Sequence, residues 1–170
     1  AIARLFEVAR ATNHARTLLE NDFSNPPRLN MFDFHDKTVG VIGVGRIGGE
    51  FCKKINPIFK RIIGYDPYIP QSRFNELNVE SVTLDELLEN SHAISLNCNL
   101  TDETRGIINE RAFGLMKQKP ILVNTARGPV IDESALKIAL EKSLIYGAGL
   151  DVFENEPPTE NQRAILDHPN

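Results

Sequence analysis

Short apolar runs alternate along this chain with stretches in which apolar residues recur every three or four positions. The runs are Thr38–Ile42, Arg61–Tyr65, Ala93–Leu96, Ile121–Asn124 and Tyr146–Val152. They are rich in β-branched residues and lack the polar alternation of a strand with one wet face, as Ile121-Leu122-Val123 illustrates. Strands of this kind are buried on both faces of a parallel sheet. Helical spacing predicts helices over Arg46–Ile55, Ser72–Leu77, Asn109–Met116 and Asp132–Glu141, with a brief strand near Glu80–Val82. Thr83-Leu84-Asp85-Glu86 reads as a capping box that opens one more helix. Residues 1–20 read as a single amphipathic helix whose apolar stripe is Ile2, Leu5, Phe6, Ala9, Leu18 and Leu19. Asn25-Pro26-Pro27 breaks it, and an irregular connection follows to Asp36. Strand–helix alternation throughout means βαβ units. The expected fold class is α/β, a doubly wound parallel sheet.

The chemistry concentrates at the first strand. Thr38–Ile42 runs straight into Gly43-Val44-Gly45-Arg46-Ile47-Gly48, and Asp66 closes the next strand eighteen positions after Gly48. In this pattern Gly43 permits the tight turn off the strand. Gly45 lets the backbone approach a pyrophosphate, and Gly48 lets the following helix pack closely. The amides of Arg46 and Ile47 would receive the phosphates at the helix N-terminus, where unpaired N–H groups and the helix dipole favour negative charge. Asp66 would accept hydrogen bonds from the adenosine ribose and repel a 2′-phosphate, which favours NAD over NADP. G-x-G-x-x-G alone is weak evidence, since glycines cluster in many surface turns. Strand, helix and spaced acid together point to a Rossmann-type dinucleotide-binding domain.

Composition narrows the alternatives. A chain of 170 residues suits one domain with a sizeable core. Its net charge of −4 and lack of a basic tract argue against a nucleic-acid partner. No apolar run reaches membrane-spanning length, and no signal peptide opens the chain. Cys52 and Cys98 have neither redox-pair nor metal-ligand spacing, so no metal is expected and a reducing cytoplasm is the default. The chain opens inside a helical pattern and stops at His168-Pro169-Asn170. Both ends read as cut, and residues 1–170 as one domain of a longer polypeptide.

Gly43–Gly48, Gly64-Tyr65-Asp66-Pro67, Asn124-Thr125-Ala126-Arg127-Gly128 and Gly149-Leu150-Asp151-Val152-Phe153-Glu154-Asn155-Glu156-Pro157-Pro158 follow one another in the order of a known family. The chain resembles the NAD-binding domain of D-isomer-specific 2-hydroxyacid dehydrogenases, in particular those similar to D-3-phosphoglycerate dehydrogenases. The resemblance implies an oxidoreductase acting on a 2-hydroxy or 2-keto acid with NAD. It implies that Arg127 holds the substrate carboxylate and carbonyl oxygen, where a planar guanidinium suits a carboxylate and polarises the carbonyl. It implies that Glu156 pairs with an acid/base histidine and raises its pKa. Asp151 would contact the nicotinamide carboxamide, while Thr125 and Ala126 line the cofactor. Taken alone, Arg127 is equally a surface-loop arginine, Glu156 a solvated acid and Asp151 a strand-end cap. Their common position on one sheet edge, outside the carboxyl ends of parallel strands, is what joins them.

Two departures stand out. The family usually has His-x-Pro after the strand matching Ala93–Leu96; this chain has Asn97-Cys98-Asn99, so the backbone at Cys98 would line the adenine pocket without a proline wall. Asn56-Pro57-Ile58-Phe59 replaces the usual glycine at the end of the first Rossmann helix, which affects that helix-to-strand turn. The histidines are His14, His35, His92 and His168. All four read as structural or solvated, His168 being closest to the family's lead-in to the catalytic one. The acid/base is thus expected beyond Asn170, and the substrate domain outside the chain. A competing reading is an NAD-sensing module like the corepressors of the C-terminal-binding type, which resemble the same family. The first helix, separated from the sheet by a long connection, is expected to form a homodimer contact.

Overall fold

The computed structural model describes residues 1–21 and 31–169. In the strands Thr38–Ile42, Arg61–Tyr65, Ala93–Leu96 and Ile121–Asn124, apolar side chains leave opposite faces, and both faces are covered. Strands β1 (Thr38–Ile42), β2 (Arg61–Tyr65), β3 (Glu80–Ser81), β4 (Ala93–Leu96), β5 (Ile121–Asn124) and β6 (Gly147–Leu150) form one sheet in the order β3-β2-β1-β4-β5-β6. Every pairing is parallel, with Ile42 opposite Tyr65 on one side and Leu96 on the other. Strand order reverses at β1, so a crevice opens between the loops after β1 and β4. Ligands enter parallel sheets at such switch points.

One face packs Ile42, Ile63, Ile94, Leu96 and Leu122 against helices α5 (Leu84–Asn90), α6 (Glu110–Leu115) and α7 (Glu133–Glu141). The other packs Val39, Val41, Ile121 and Val123 with α1 (Ile2–Ala9), α3 (Arg46–Ile55) and α4 (Gln71–Glu76). The capping box at Thr83 forms as expected: Thr83 Oγ1 accepts from the Glu86 amide, and the Glu86 carboxylate accepts from the Thr83 amide at 2.9 Å. Asn109 and Asp132 cap α6 and α7 from just outside them. The expected departure after α3 closes without a glycine, since Ile58 and Phe59 donate to the Ile55 carbonyl and Phe59 is buried. His92 sits at the opposite, amino-terminal edge, where Nδ1 accepts from the Thr38 amide at 3.3 Å and burial lowers its pKa. The expected break at Asn25-Pro26-Pro27 lies outside the described residues.

The single helix expected over residues 1–20 is two helices, α1 and α2 (Thr12–Asn21). Ala11 takes a left-handed conformation (φ 48°), and the Phe32 amide claims the Ala9 carbonyl, which an unbroken helix would have offered to residue 13. Burial drives the break. Leu5 and Ala9 are essentially inaccessible, and α1 lies across β5 and β6 of its own sheet, so close that a Cβ on Gly149 would meet the Arg4 side chain at 2.9 Å. The α1 part of the apolar stripe therefore has its partner within the chain. Its edge is closed by Phe6 against Phe34, ring centroids 5.2 Å apart.

Leu5→Ala should accordingly cost roughly 2–5 kcal/mol of stability, the range for truncating a buried leucine. Thermal or urea unfolding at several protein concentrations checks this. A loss that vanishes on dilution would mean that Leu5 packs between copies instead.

Candidate cofactor-binding site

The turn after β1 is built from backbone contacts that no side chain could enter. Gly43 has φ +85°, and a Cβ there would lie 2.6 Å from the Cys98 amide nitrogen. The β1 turn thus rests directly on the backbone leaving β4. A Cβ on Gly48 would lie 1.9 Å from the Gly43 carbonyl oxygen, so the first turn of α3 rests on the same loop. Gly45 differs: nothing lies within 4 Å of the Cβ it lacks. The first glycine makes the turn, the third seats the helix, and the second leaves open space in front of the α3 N-terminus. Arg46 and Ile47 open that helix, and Ile47 is 74% exposed. Its unpaired amides and open approach fit a diphosphate.

A cleft of about 450 Å³ runs past this turn, lined by Gly43, Gly45, Arg46, Ile47, Asp66 and Cys98 among others. Asp66 is held by two backbone donors, the Val44 amide on Oδ2 at 2.9 Å and the Tyr68 amide on Oδ1 at 3.0 Å. The acid is therefore fixed to the glycine turn across the β1–β2 gap. Each carboxylate oxygen still has lone-pair capacity for a hydroxyl. Burial pushes the Cys98 thiol upward, which keeps it a neutral apolar filler; the fully buried Cys52 is pushed up to about 12. Asn97 gives its amide to the Ser95 carbonyl and hydroxyl, while its buried Oδ1 has no partner.

Arg127 and Glu156 are brought into neighbouring loops at the far end of the same sheet edge. Gly128 is the reason. A Cβ there would lie 1.9 Å from the Phe153 carbonyl oxygen and 2.4 Å from the Glu154 amide, so the loop after β5 presses backbone to backbone on the loop after β6. Asn124 shapes the first loop, accepting from the Ala126 amide at 3.0 Å and donating to the Arg127 carbonyl at 2.9 Å. Arg127 is exposed and folds one Nη1 donor back on the Ala126 carbonyl at 2.7 Å; Thr125 is half-buried and Ala126 buried. In the second loop Glu156 accepts from the Phe153 amide at 3.1 Å, and Glu133 at the start of α7 anchors the Glu154 amide. Asp151 accepts from Arg4 of α1 at 3.3 Å, both side chains being about half exposed.

Among the described residues no cluster of His, Cys, Asp and Glu is arranged to hold a metal. His14 and His168 line a second cleft beside β6 with Arg4 and Phe153. The sequence motifs include Asn124 and Tyr68 but give neither a role, and they say nothing of Thr101, Glu103 and Thr104, which line the candidate cofactor cleft with Tyr68. Thr101-x-x-Thr104 was the available signal: the Thr101 amide donates to Thr104 Oγ1, which donates to the Asn99 carbonyl at 2.6 Å.

The glycines separate fold from binding. Gly48→Ala should destabilise the domain by roughly 1–3 kcal/mol through overpacking. Gly45→Ala should leave the melting temperature nearly unchanged yet weaken NADH binding at least tenfold. Calorimetric titration and thermal melts of both variants check the pair. Undiminished NADH affinity in Gly45→Ala would place the diphosphate elsewhere.

Comparison with known proteins accords with this geometry. Residues 2–170 match the family model described as D-isomer specific 2-hydroxyacid dehydrogenase, NAD binding domain. D-3-phosphoglycerate dehydrogenase of Methanocaldococcus jannaschii is 41% identical over 165 residues, covering 96% of this chain and 32% of that protein. Hydroxypyruvate reductase of Thermotoga maritima is 48% identical over 130 residues, covering 76% and 42%. A crystal structure of D-lactate dehydrogenase with NAD+ from Lactobacillus jensenii superposes with TM-score 0.88 at 28% identity, covering all of this chain and 55% of that one. A glyoxylate reductase from Paecilomyes thermophila gives TM-score 0.88 at 34% identity, covering 99% and 51%. The chain thus spans from about a third to just over half the length of these relatives. It belongs to the D-isomer-specific 2-hydroxyacid dehydrogenase family, as its NAD-binding domain.

Proposed function

We propose that this chain is the cofactor half of an oxidoreductase that moves a hydride between NAD(H) and C2 of a 2-hydroxy or 2-keto acid, with 3-phosphoglycerate among the candidate substrates. The observation that carries the proposal is the contact of Gly128 with the Phe153–Glu154 backbone, because it sets the Arg127 and Glu156 loops side by side. In this reading the Gly43–Gly48 turn and the Arg46 and Ile47 amides take the pyrophosphate, and Asp66 takes the ribose. Cys98 borders the adenosine end, Thr125 and Ala126 border the nicotinamide end, and Asp151 receives the carboxamide. Bound NAD supplies the hydride acceptor or donor. Arg127 has N–H donors to spare beyond the one on Ala126, enough to hold a carboxylate and polarise the adjacent carbonyl. Glu156 orients an acid/base histidine, which we place, with the substrate domain, outside these 170 residues. The relatives' greater length supports that division.

The chain alone should then bind NADH, prefer it to NADPH, and fail to turn over. General acid–base groups typically contribute about 10²–10⁴-fold, and without the substrate domain much of the orientation effect is lost as well. Calorimetry with both cofactors measures the preference, and Asp66→Ala should cost about 1.5–3 kcal/mol of NADH binding. NADH oxidation with hydroxypyruvate, glyoxylate, pyruvate and 2-ketoglutarate measures turnover, in the chain and in the longer protein. Equal affinity for the two cofactors would sink the role of Asp66. Turnover by the chain alone would show that the acid/base lies within it, with His168 the first residue to replace.

We further propose that the chain forms homodimers, now through α2 rather than α1, in a reducing cytoplasm where its free cysteines stay unpaired. In support, Leu19 and Met31 are 37% and 51% exposed and border one shallow apolar depression with Ala15. No helix is long and apolar enough to cross a membrane among the described residues. Sedimentation should show a dimer that Leu19→Lys dissociates; a wild-type monomer at high micromolar concentration would end this proposal.

A further inference from the structure

One side-chain contact bridges the two walls of the cofactor cleft. Tyr68 lies on the loop after β2 and Glu103 on the segment after β4, 35 positions apart, and the Tyr68 hydroxyl donates to Glu103 Oε2. Strands β2 and β4 are the two neighbours of β1, so this hydrogen bond joins the segments that follow the strands on either side of it. Tyr68 is 72% exposed and Glu103 is exposed too, so burial does not explain their pairing. Tyr68 is held at both ends. Its backbone amide donates to Asp66 Oδ1 at 3.0 Å, while its hydroxyl reaches Glu103.

We infer that Glu103, acting through Tyr68, positions Asp66 and so sharpens the choice of NAD over NADP. The inference rests on the assignment of Asp66 to the ribose. An acid discriminates against a 2′-phosphate only if it stays where the phosphate would go, and a loop free to swing relieves the repulsion. Asp66 is tied to the glycine turn through the Val44 amide on one oxygen. The second oxygen is tied to the backbone of Tyr68, whose exposed side chain is held from across the cleft by Glu103. Glu103 stands on a stiff support for that purpose. The Thr101 amide donates to Thr104 Oγ1 at 2.8 Å, and Thr104 Oγ1 donates to the Asn99 carbonyl. The neighbouring carboxylate also raises the Tyr68 phenol pKa, so the hydroxyl keeps its proton and remains the donor. Tyr68 and Glu103 are positioning residues here, acting through Asp66.

The bond and the charge separate by substitution. Tyr68→Phe removes the bond and keeps the carboxylate. Glu103→Gln removes the charge and keeps an acceptor for the hydroxyl, and Glu103→Ala removes both. NADH and NADPH dissociation constants are measured by calorimetry for each, alongside Asp66→Ala and the melting temperature. Tyr68→Phe and Glu103→Ala should each lower the NADH-over-NADPH preference about fivefold, the effect of one net hydrogen bond. The double variant should be no worse than either, Glu103→Gln should stay near wild type, and melting should barely move. An unchanged preference in Tyr68→Phe, with Asp66→Ala abolishing it, overturns the tether and leaves Asp66 standing. Loss in Glu103→Gln with none in Tyr68→Phe also overturns it, since the charge would then act directly. A preference that survives Asp66→Ala removes the assignment of Asp66, and the tether with it.

Discussion

Backbone pressed on backbone, with no side chain between, is the constraint on which the rest of the molecule depends. It occurs twice along the carboxyl edge of the sheet. At one end the Gly43 turn rests on the Asn97–Cys98 backbone and carries Gly48 of α3. At the other, Gly128 rests on Phe153 and Glu154. Protein interiors are close-packed, so a contact closer than a methyl group leaves little slack. Each contact therefore fixes how far two neighbouring loops stand apart. The first sets the mouth of the cleft beside the glycine turn, and the second sets Arg127 beside the Glu156 loop.

The sheet supplies what these contacts need. Six parallel strands, with Val39, Val41 and Val123 facing one way and Ile42, Ile94 and Leu122 the other, leave no slack for register to slip. A one-residue slip would turn each strand's facing residues over and break both layers of packing. With register held, strand ends line up, and the loops after β1, β2 and β4 converge where the order reverses. Polar groups then finish the geometry. Asp66 ties β2's loop to β1's turn, and Asn124 ties its own strand end to the Arg127 carbonyl. Both act by accepting or donating to backbone groups that would otherwise be orphaned at a loop.

Much of this was legible beforehand because it is local. A run such as Ile121-Leu122-Val123 has few alternatives to a buried strand, and Thr83 with Glu86 forms its cap from residues three apart. The glycine spacing after β1 carried a steric meaning that the structure bears out in distances. The first helix misled for a physical reason. Its apolar spacing is continuous enough for one helix, but Leu5 and Ala9 dock on β5 and β6, and Phe32 takes the Ala9 carbonyl. Those partners are distant in sequence, and the burial they provide offsets the cost of a left-handed alanine.

By itself, then, the sequence determined the α/β class, the alternation of strands and helices from β1 to β6, the glycine turn after β1 and the acid that closes β2. Each depends on periodicity or on spacings of a few residues, which any fold containing them must respect. Only the tertiary structure decided that α1 belongs to this sheet, that Gly128 brings two loops into contact, and that Tyr68 reaches Glu103 across the cleft. These are pairings between residues up to about 150 positions apart, as Arg4 with Asp151 shows. Nothing in the local chain encodes them. They exist because parallel strands in fixed register deliver remote loops to one edge, where glycine allows contact and side-chain polar groups choose their partners.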